Sequence, residues 1–204
     1  MLHGNPPDPS PPRKGRPPRI SLTAILDAAE TLSPDALTMS AVARHLGVAT
    51  SALYTHVRDR EELLGALAER LGAELRAPEE DLDWRTWLRT YARDMYAALG
   101  RHPVLTRPET AFLIQGKGAV LVQTGLRVLR GEGFDGAQAL NLLRATGNVA
   151  YMQALADLLL QRPGFDGAEV EELIGQSIPR GADSLEEQLD LVLAAGDQFL
   201  ARQR

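Results

Sequence analysis

The sequence contains no cysteine, and this absence removes several kinds of chemistry at once. Disulfide bridges, thiolate nucleophiles and zinc–sulfur sites all need cysteine. The four histidines, at positions 3, 45, 56 and 102, lack the spacing of metal ligands, and the sequence has neither a nucleophile elbow nor a phosphate-binding loop. We therefore expect no metal, no cofactor and no catalytic residues, and an enzyme is the weakest of the functional alternatives.

Long apolar runs and strand patterns are missing as well. A run of about eighteen apolar residues, the minimum for a membrane span, does not occur. The Pro-rich start of the chain has no apolar segment of the kind that directs secretion. Apolar and polar residues do not alternate, as half-buried strands require, over any useful length. We therefore expect an all-α protein of the cytoplasm that does not contact a membrane.

Charge is divided unevenly along the 204 residues, whose formal net charge is −5. Residues 1–60 contain seven Lys and Arg against five Asp and Glu, whereas residues 61–204 contain fifteen against twenty-two. The positive excess therefore lies at the start of the chain and the acidity in the remainder. This division suits a small nucleic-acid-binding domain joined to a larger acidic domain.

Residues 1–19 contain seven prolines and two glycines, which oppose a helix and predict a disordered segment. The basic residues of this segment, among them Arg16 and Arg19, come just before the first predicted helix. Two interpretations stay open. The segment is either a tail that aids solubility or an arm that binds DNA phosphates or enters a minor groove.

Residues 20–64 predict three short helices and the beginning of a fourth. Ser21 and Thr38 are capping residues for the first and second helices, and Gly47 allows a tight turn before a third helix at about 50–56. The third helix has small polar and aromatic groups on its outer side. Two short helices joined by such a glycine turn are typical of a helix-turn-helix, whose second helix enters the major groove of DNA.

The remaining residues predict further helices, of which two are long and rich in leucine. These lie at about 135–161 and 184–202. Their apolar faces are wide enough to pack on the domain with one side and on a second copy with the other, which would produce a four-helix bundle around a two-fold axis. The predicted dimer contacts are Leu155, Leu159, Leu189 and Leu193.

The run from Thr23 to Leu64 resembles the TetR family of one-component repressors in the order and spacing of its residues. The matching segments are TAILDAAETL and LTMSAVARHLGVATSALYTHVRDREELL. Within the second segment, LYTHVRDREELL is most similar to the tetracycline-repressor branch of the family. The resemblance implies about nine or ten helices, a homodimer that binds an inverted repeat in double-stranded DNA, and a ligand pocket in the larger domain.

The predicted organisation is all-α with three segments. Residues 1–19 form a disordered basic, Pro-rich arm, and residues 20–64 form a three-helix helix-turn-helix domain that binds DNA. Residues 65–204 form a larger helical domain for effector binding and dimerisation.

Carried over residue by residue, the resemblance places DNA contacts on the second, third and fourth helices. The implied contacts are Ser40, Thr50, Ser51, Tyr54, His56 and Arg60, together with the hydroxyl of Thr38. Ala49 stands where family members commonly have a serine cap, so Thr50 is either a base reader or a substitute cap. Tyr54 either faces DNA or covers the small core, and His56 either faces DNA or caps helix carbonyls.

Aromatic and polar residues of the larger domain are candidates for the effector pocket. They are Trp84, Trp87, Tyr91, Phe112, Gln115, Asn148, Tyr151 and Met152. Such a set favours a small, mostly apolar ligand, although ordinary core packing produces the same pattern. The segment LTRPET at 105–110 resembles a loop near the tetracycline site, but Pro103 occupies the position of the matching histidine. A magnesium–tetracycline site is therefore not expected.

The sequence thus predicts a transcription regulator, a repressor that a small apolar ligand releases from a palindromic operator. An architectural DNA-binding protein without an effector is the main alternative, and a small helical enzyme is the other. The large acidic domain argues against the architectural alternative, because compaction of DNA does not require such a domain.

Overall fold

The structure, a computed structural model, describes residues 20–33, 35–106, 118–162, 164–174, 177 and 180–202. These residues form nine α-helices and one 3₁₀ turn, Pro103–Thr106, and contain no strand. The helices are α1 Leu22–Glu30, α2 Met39–His45, α3 Thr50–Leu53, α4 Arg60–Gly72, α5 Trp84–Arg101, α6 Gly118–Gly131, α7 Gly136–Leu160, α8 Gly167–Ile174 and α9 Gly181–Ala201. The all-α prediction is confirmed. Within the same ranges, no helix is both long and apolar enough to cross a membrane.

Helices α1 to α3 form an N-terminal head, and the residues that cap them explain where they begin. The Ser21 hydroxyl accepts a hydrogen bond from the Ala24 amide at 3.2 Å, and the Thr38 hydroxyl accepts one from the Ala41 amide at 3.1 Å. Gly47 has a φ of +66°, the left-handed conformation needed between α2 and α3. The two predicted caps and the predicted glycine turn are therefore confirmed.

A single hydrophobic core joins the head to the larger domain. Fully buried side chains from α1 to α4 pack with Leu99 of α5, with Val104 and Leu105 of the 3₁₀ turn, and with Ala154 of α7. At the surface, Arg162 binds Asp35 of the head with 2.8 Å between nitrogen and oxygen. The core therefore crosses the boundary that the sequence predicts after residue 64.

Helix α5 lies at the centre of the larger domain and packs on three other helices through aromatic side chains. Each aromatic lies against a glycine: Trp84 against Gly196 of α9, Trp87 against Gly125 of α6, and Tyr91 against Gly147 of α7. A Cβ atom added at any of these glycines would lie only 2.5 to 2.7 Å from the aromatic side chain, well inside van der Waals contact. The absence of a side chain at each glycine therefore sets how closely its helix approaches α5.

Substitution of Gly125 by alanine tests this packing. The added methyl group would overlap the Trp87 indole at 2.7 Å, so we expect Gly125→Ala to lower the free energy of unfolding by about 1–3 kcal/mol. Gly100→Ala is the matched control within α5, because no atom lies within 4 Å of its added Cβ. The control should be neutral or stabilising by up to about 1 kcal/mol. Urea denaturation measures both, and equal stabilities would contradict the close approach of α6.

Candidate DNA-binding surface and regulatory domain

Helix α3, the predicted reading helix, is a single turn and is shorter than the sequence predicts. It comprises Thr50–Leu53, and the chain turns at Tyr54 instead of continuing as a helix to position 56. Ala49 occupies the N-cap without a side-chain hydrogen bond, and Thr50 is the first helical residue. The alternative in which Thr50 serves as a substitute cap is therefore wrong. The burial of Leu53, which is 0% exposed, anchors this turn in the head.

Tyr54 and His56 lie on the outer surface of the head. Tyr54 is 53% exposed and belongs to no buried cluster, which argues against the alternative that it covers the core. The His56 ring is exposed and makes no hydrogen bond to any described residue, so nothing there supports a carbonyl-capping role. Ser51 is also exposed, and Thr50 is half-buried beside it. Exposed hydroxyl, phenol and imidazole groups thus follow one another along this segment, and we call Ser51, Tyr54 and His56 the reading face.

The other predicted DNA contacts lie at the starts of α2 and α4. Thr38 and Ser40 are exposed at the start of α2. Arg60 begins α4 and is half-buried, and its Nε donates a hydrogen bond to the Leu37 carbonyl at 3.1 Å. This bond connects the start of α4 to the segment that leads into α2, so Arg60 has a structural contact in addition to its predicted role.

Two arginines of the head are further candidates for DNA contact that the sequence motifs do not mark. Arg44 is exposed in the last turn of α2, and the side chain of Arg58, between α3 and α4, is 85% exposed. The backbone amide of Arg58, and then its guanidinium, bind Glu62 and hold the pKa of that carboxyl below its usual range. The positive excess of residues 1–60, which includes both arginines, was the signal that could have identified them.

Four predicted site residues lie outside the described residues. Arg16 and Arg19 belong to the arm, and Phe112 and Gln115 precede α6. Their roles in DNA binding and in the effector pocket stay predictions.

Trp84 and Trp87 have a packing role instead of the predicted contact with an effector. They are 2% and 0% exposed, and each indole lies against a glycine of a neighbouring helix. The indole nitrogen of Trp87 donates a hydrogen bond to the Pro78 carbonyl at 3.3 Å, so its polar atom is also used within the protein. The sequence pattern could not distinguish these aromatics from pocket residues, because both kinds follow helical spacing.

Tyr91 and Tyr151 lie inside the larger domain, where the sequence predicts the effector site. The hydroxyl of Tyr91 lies against Gly147 and makes no hydrogen bond within the described part of the chain, and burial raises the pKa of this phenol. The hydroxyl of Tyr151 donates to the Thr106 carbonyl at 2.7 Å, and burial raises its pKa as well. Both phenols therefore stay neutral near pH 7, and that of Tyr91 can donate to a ligand.

The outer surface of α7 carries the remaining residues predicted for the effector. Asn148 is exposed and Met152 is 56% exposed, so both project away from the interior of the protomer. Their assignment to an internal pocket is therefore wrong for this protomer. Leu155 is half-buried and Leu159 is 39% exposed on the same helix, which leaves both available to a partner as predicted.

Helix α9 presents a different leucine from those predicted for the dimer interface. Leu189 and Leu193 are 0% and 4% exposed, because they pack inward with side chains of α5 and α7. The prediction that these two leucines contact a partner is wrong for that reason. Leu191 lies between them in sequence and is 74% exposed.

Comparison with known proteins agrees with this architecture. Residues 25–67 match the family model described as bacterial regulatory proteins, tetR family. The tetracycline repressor protein class A from transposon 1721 of Escherichia coli is 36% identical over 164 residues, which cover 74% of this chain and 70% of that protein. The chain belongs to the TetR family.

Solved TetR-family structures share the fold over most of its length. TetR from Acinetobacter baumannii AYE has a TM-score of 0.68 and 28% identity, covering 88% of this chain and 97% of that one. A variant of TetR from the same strain, solved in complex with minocycline, has a TM-score of 0.62 and 26% identity over 87% and 94% of the two chains. This TetR-family chain is a DNA-binding transcriptional regulator, and the relatives named here are regulators as well.

Alanine substitutions of Tyr54 and Arg60 separate base reading from phosphate binding. Because phosphate contacts carry no sequence information, Arg60→Ala should weaken binding to operator and to random duplex DNA about equally. Tyr54→Ala should lower the affinity for the operator about tenfold more than the affinity for random DNA, as expected for a lost base contact of about 1–3 kcal/mol. Titration of labelled duplexes at one salt concentration measures both effects.

Thermal unfolding of each variant is the control for this comparison, because Arg60 also binds the Leu37 carbonyl. If Tyr54→Ala lost equal affinity for operator and random DNA, Tyr54 would no longer count as a residue that reads bases.

Proposed function

We propose that this TetR-family chain is a repressor that binds an inverted repeat as a homodimer and leaves it when a small molecule binds the larger domain. The observation that carries the proposal is the reading face, where Ser51, Tyr54 and His56 are exposed while Leu53 of the same segment is buried. A short helix with this division of polar and apolar groups fits the major groove, which admits a helix and offers hydrogen-bonding base edges.

The groups around the reading face suit the phosphates on either side of that groove. Thr38 offers a hydroxyl and Arg44 an exposed guanidinium group, and the guanidinium of Arg58 is exposed although its Nε is paired with Glu62 at 3.1 Å. Arginine binds phosphate oxygens through two parallel hydrogen bonds, so these residues would fix the position of the head on the duplex. Ser40 has only a short hydroxyl side chain on α2, so most of the base reading falls to Tyr54 and its neighbours.

The dimer would form through the outer surfaces of α7 and α9, which pack against each other within the protomer. Three exposed apolar side chains mark these surfaces: Met152 at 56%, Leu159 at 39% and Leu191 at 74% exposure. Burial of large apolar side chains against a symmetric copy is favourable, and two helices from each protomer would make a four-helix bundle. This assignment replaces Leu189 and Leu193 with Leu191.

The structural change caused by an effector bound beside Tyr91 would be transmitted to the head through contacts that the structure contains. Tyr151 of α7 holds the Thr106 carbonyl, and the same 3₁₀ turn places Val104 and Leu105 in the core of the head. A ligand that shifts α7 would therefore shift side chains packed under α1 and α4. The minocycline complex of the related Acinetobacter protein supports a ligand response. Such coupling is typically about 1–3 kcal/mol, and DNA must weaken ligand binding by the same factor.

Selection of bound duplexes from a pool of random DNA tests the proposed function directly. We expect enrichment of an inverted repeat whose half-sites lie about 34–36 Å apart or slightly more, because two heads related by a two-fold axis must reach successive major grooves. The affinity for the selected site should fall steeply with salt, since phosphate contacts release counterions.

The control pool uses the Tyr54→Ala protein, for which the enrichment of the repeat should decline. Enrichment of single, unrepeated sites, or of no sequence at all, would contradict a dimeric repressor and would favour an architectural DNA-binding protein.

Leu191→Glu tests the dimer interface. A carboxylate at this exposed position would be buried without a partner in the bundle, so the variant should sediment as a folded monomer at concentrations where wild type is a dimer. Val120→Glu is the matched control, because Val120 is 62% exposed on α6, a helix that is not part of the proposed interface. A Leu191→Glu protein that stays dimeric by analytical ultracentrifugation would show that the two copies meet elsewhere.

A further inference from the structure

A cavity of about 420 Å³ lies where the end of α5, the end of α7 and the start of α9 meet. Its lining includes Tyr96 and Ala97 of α5, Ala154, Asp157 and Leu158 of α7, and Arg180 just before α9. The volume lies within the range of about 300–1,000 Å³ that is usual for small-molecule sites.

A carboxylate forms the polar floor of this cavity. One oxygen of Asp157 accepts hydrogen bonds from the Gln153 amide at 3.0 Å and from the Gly181 backbone amide at 3.2 Å, and the other accepts one from the Tyr96 hydroxyl at 2.6 Å. A carboxylate offers about four acceptor positions. One position, on the oxygen bound by Tyr96, therefore remains available to a molecule in the cavity.

Buried polar side chains hold this carboxylate in place. Gln153 and Ser184 are 4% and 6% exposed. The Gln153 carbonyl oxygen accepts bonds from the Ser184 hydroxyl at 2.9 Å and from the Gln188 amide at 2.8 Å, and this turns its own NH₂ group towards Asp157. A buried network in which every member is satisfied fixes a functional group with little freedom to move. Asp157 is thus oriented before any ligand arrives.

The charges around the cavity leave Asp157 as the group that a ligand would meet. Arg180 also lines the cavity, but its guanidinium is paired with Glu171 at 3.2 Å. The hydrogen bond to Asp157, helped by burial, raises the pKa of Tyr96 to about 12, so this phenol stays neutral and continues to donate. The apolar part of the cavity wall includes Ala97, Ala154 and Leu158.

We propose that this cavity binds a small organic ammonium ion, whose N–H group donates to the open acceptor position of Asp157 while its apolar body lies against Ala97, Ala154 and Leu158. A charge-assisted hydrogen bond of this kind is stronger than one between neutral groups, which makes the site selective for cations. The site is separate from the region of Tyr91. It lies next to the contact between the larger domain and the head, because Arg162, which follows α7, is paired with Asp35.

Calorimetric titration of the full-length protein without DNA tests the proposal with three probes of similar shape. They are 2-phenylethylammonium, the neutral alcohol 2-phenylethanol and the anion 3-phenylpropionate. We expect saturable binding of the ammonium ion and affinities at least tenfold lower for the alcohol and the anion. Because no operator is present, failure here would leave the DNA-binding function untouched.

Asp157→Asn should reduce the affinity for the ammonium ion at least tenfold and abolish the preference over the alcohol. Asp183→Asn removes the same charge from an exposed position on α9 outside the cavity and should bind as wild type does. Ala97→Leu narrows the cavity without touching the polar network and should also weaken binding of the ammonium ion. This variant replaces Asp157→Asn as the test if Asp157→Asn does not fold. Equal affinities for the ammonium ion and the alcohol, or full binding by Ala97→Leu, would show that the network only fastens α9 to α7.

Discussion

The close contact of α5 with three glycines is the constraint on which the rest of the larger domain depends. Gly196, Gly125 and Gly147 lie on α9, α6 and α7, and each admits one aromatic side chain of α5. Close-packed protein interiors have low compressibility. When one of these helices moves, α5 or its neighbours must therefore move as well. The far end of α5 leads into the 3₁₀ turn that lies under the head, and the same constraint therefore extends to the DNA-binding surface.

Local features of the fold were predictable because single residues determine them. Ser21 and Thr38 cap their helices with their own hydroxyls, and Gly47 adopts a conformation that other residues avoid. The early end of α3 was not predictable, since residues 54–56 suit a helix as well as a turn. The sequence also could not show which apolar residues of α9 face their own protomer. Leu189 and Leu191 are two positions apart in a leucine-rich segment, and only the packing of the helix shows that one is buried and the other exposed.

The candidate sites also differ in whether the sequence could predict them. The reading face was predictable from the resemblance of a contiguous segment, whereas the cavity at Asp157 joins residues of α5, α7 and α9 that are distant in sequence. Asp157 and Ser184 are ordinary residue types at unremarkable spacing, so no pattern marks them before the helices are assembled. The glycines inside α6, α7 and α9 are visible in the sequence. An isolated glycine in a helical segment lowers stability, and its presence therefore indicates close packing at that position.

The construction of the head has a consequence for how such a regulator evolves. Leu53 holds α3 in the core, while Ser51, Tyr54 and His56 are exposed and belong to no buried cluster. Exchanges of exposed residues usually change stability by less than about 0.5 kcal/mol. After gene duplication, a copy of this chain can therefore drift to a new set of target promoters through these outward positions while its fold stays intact.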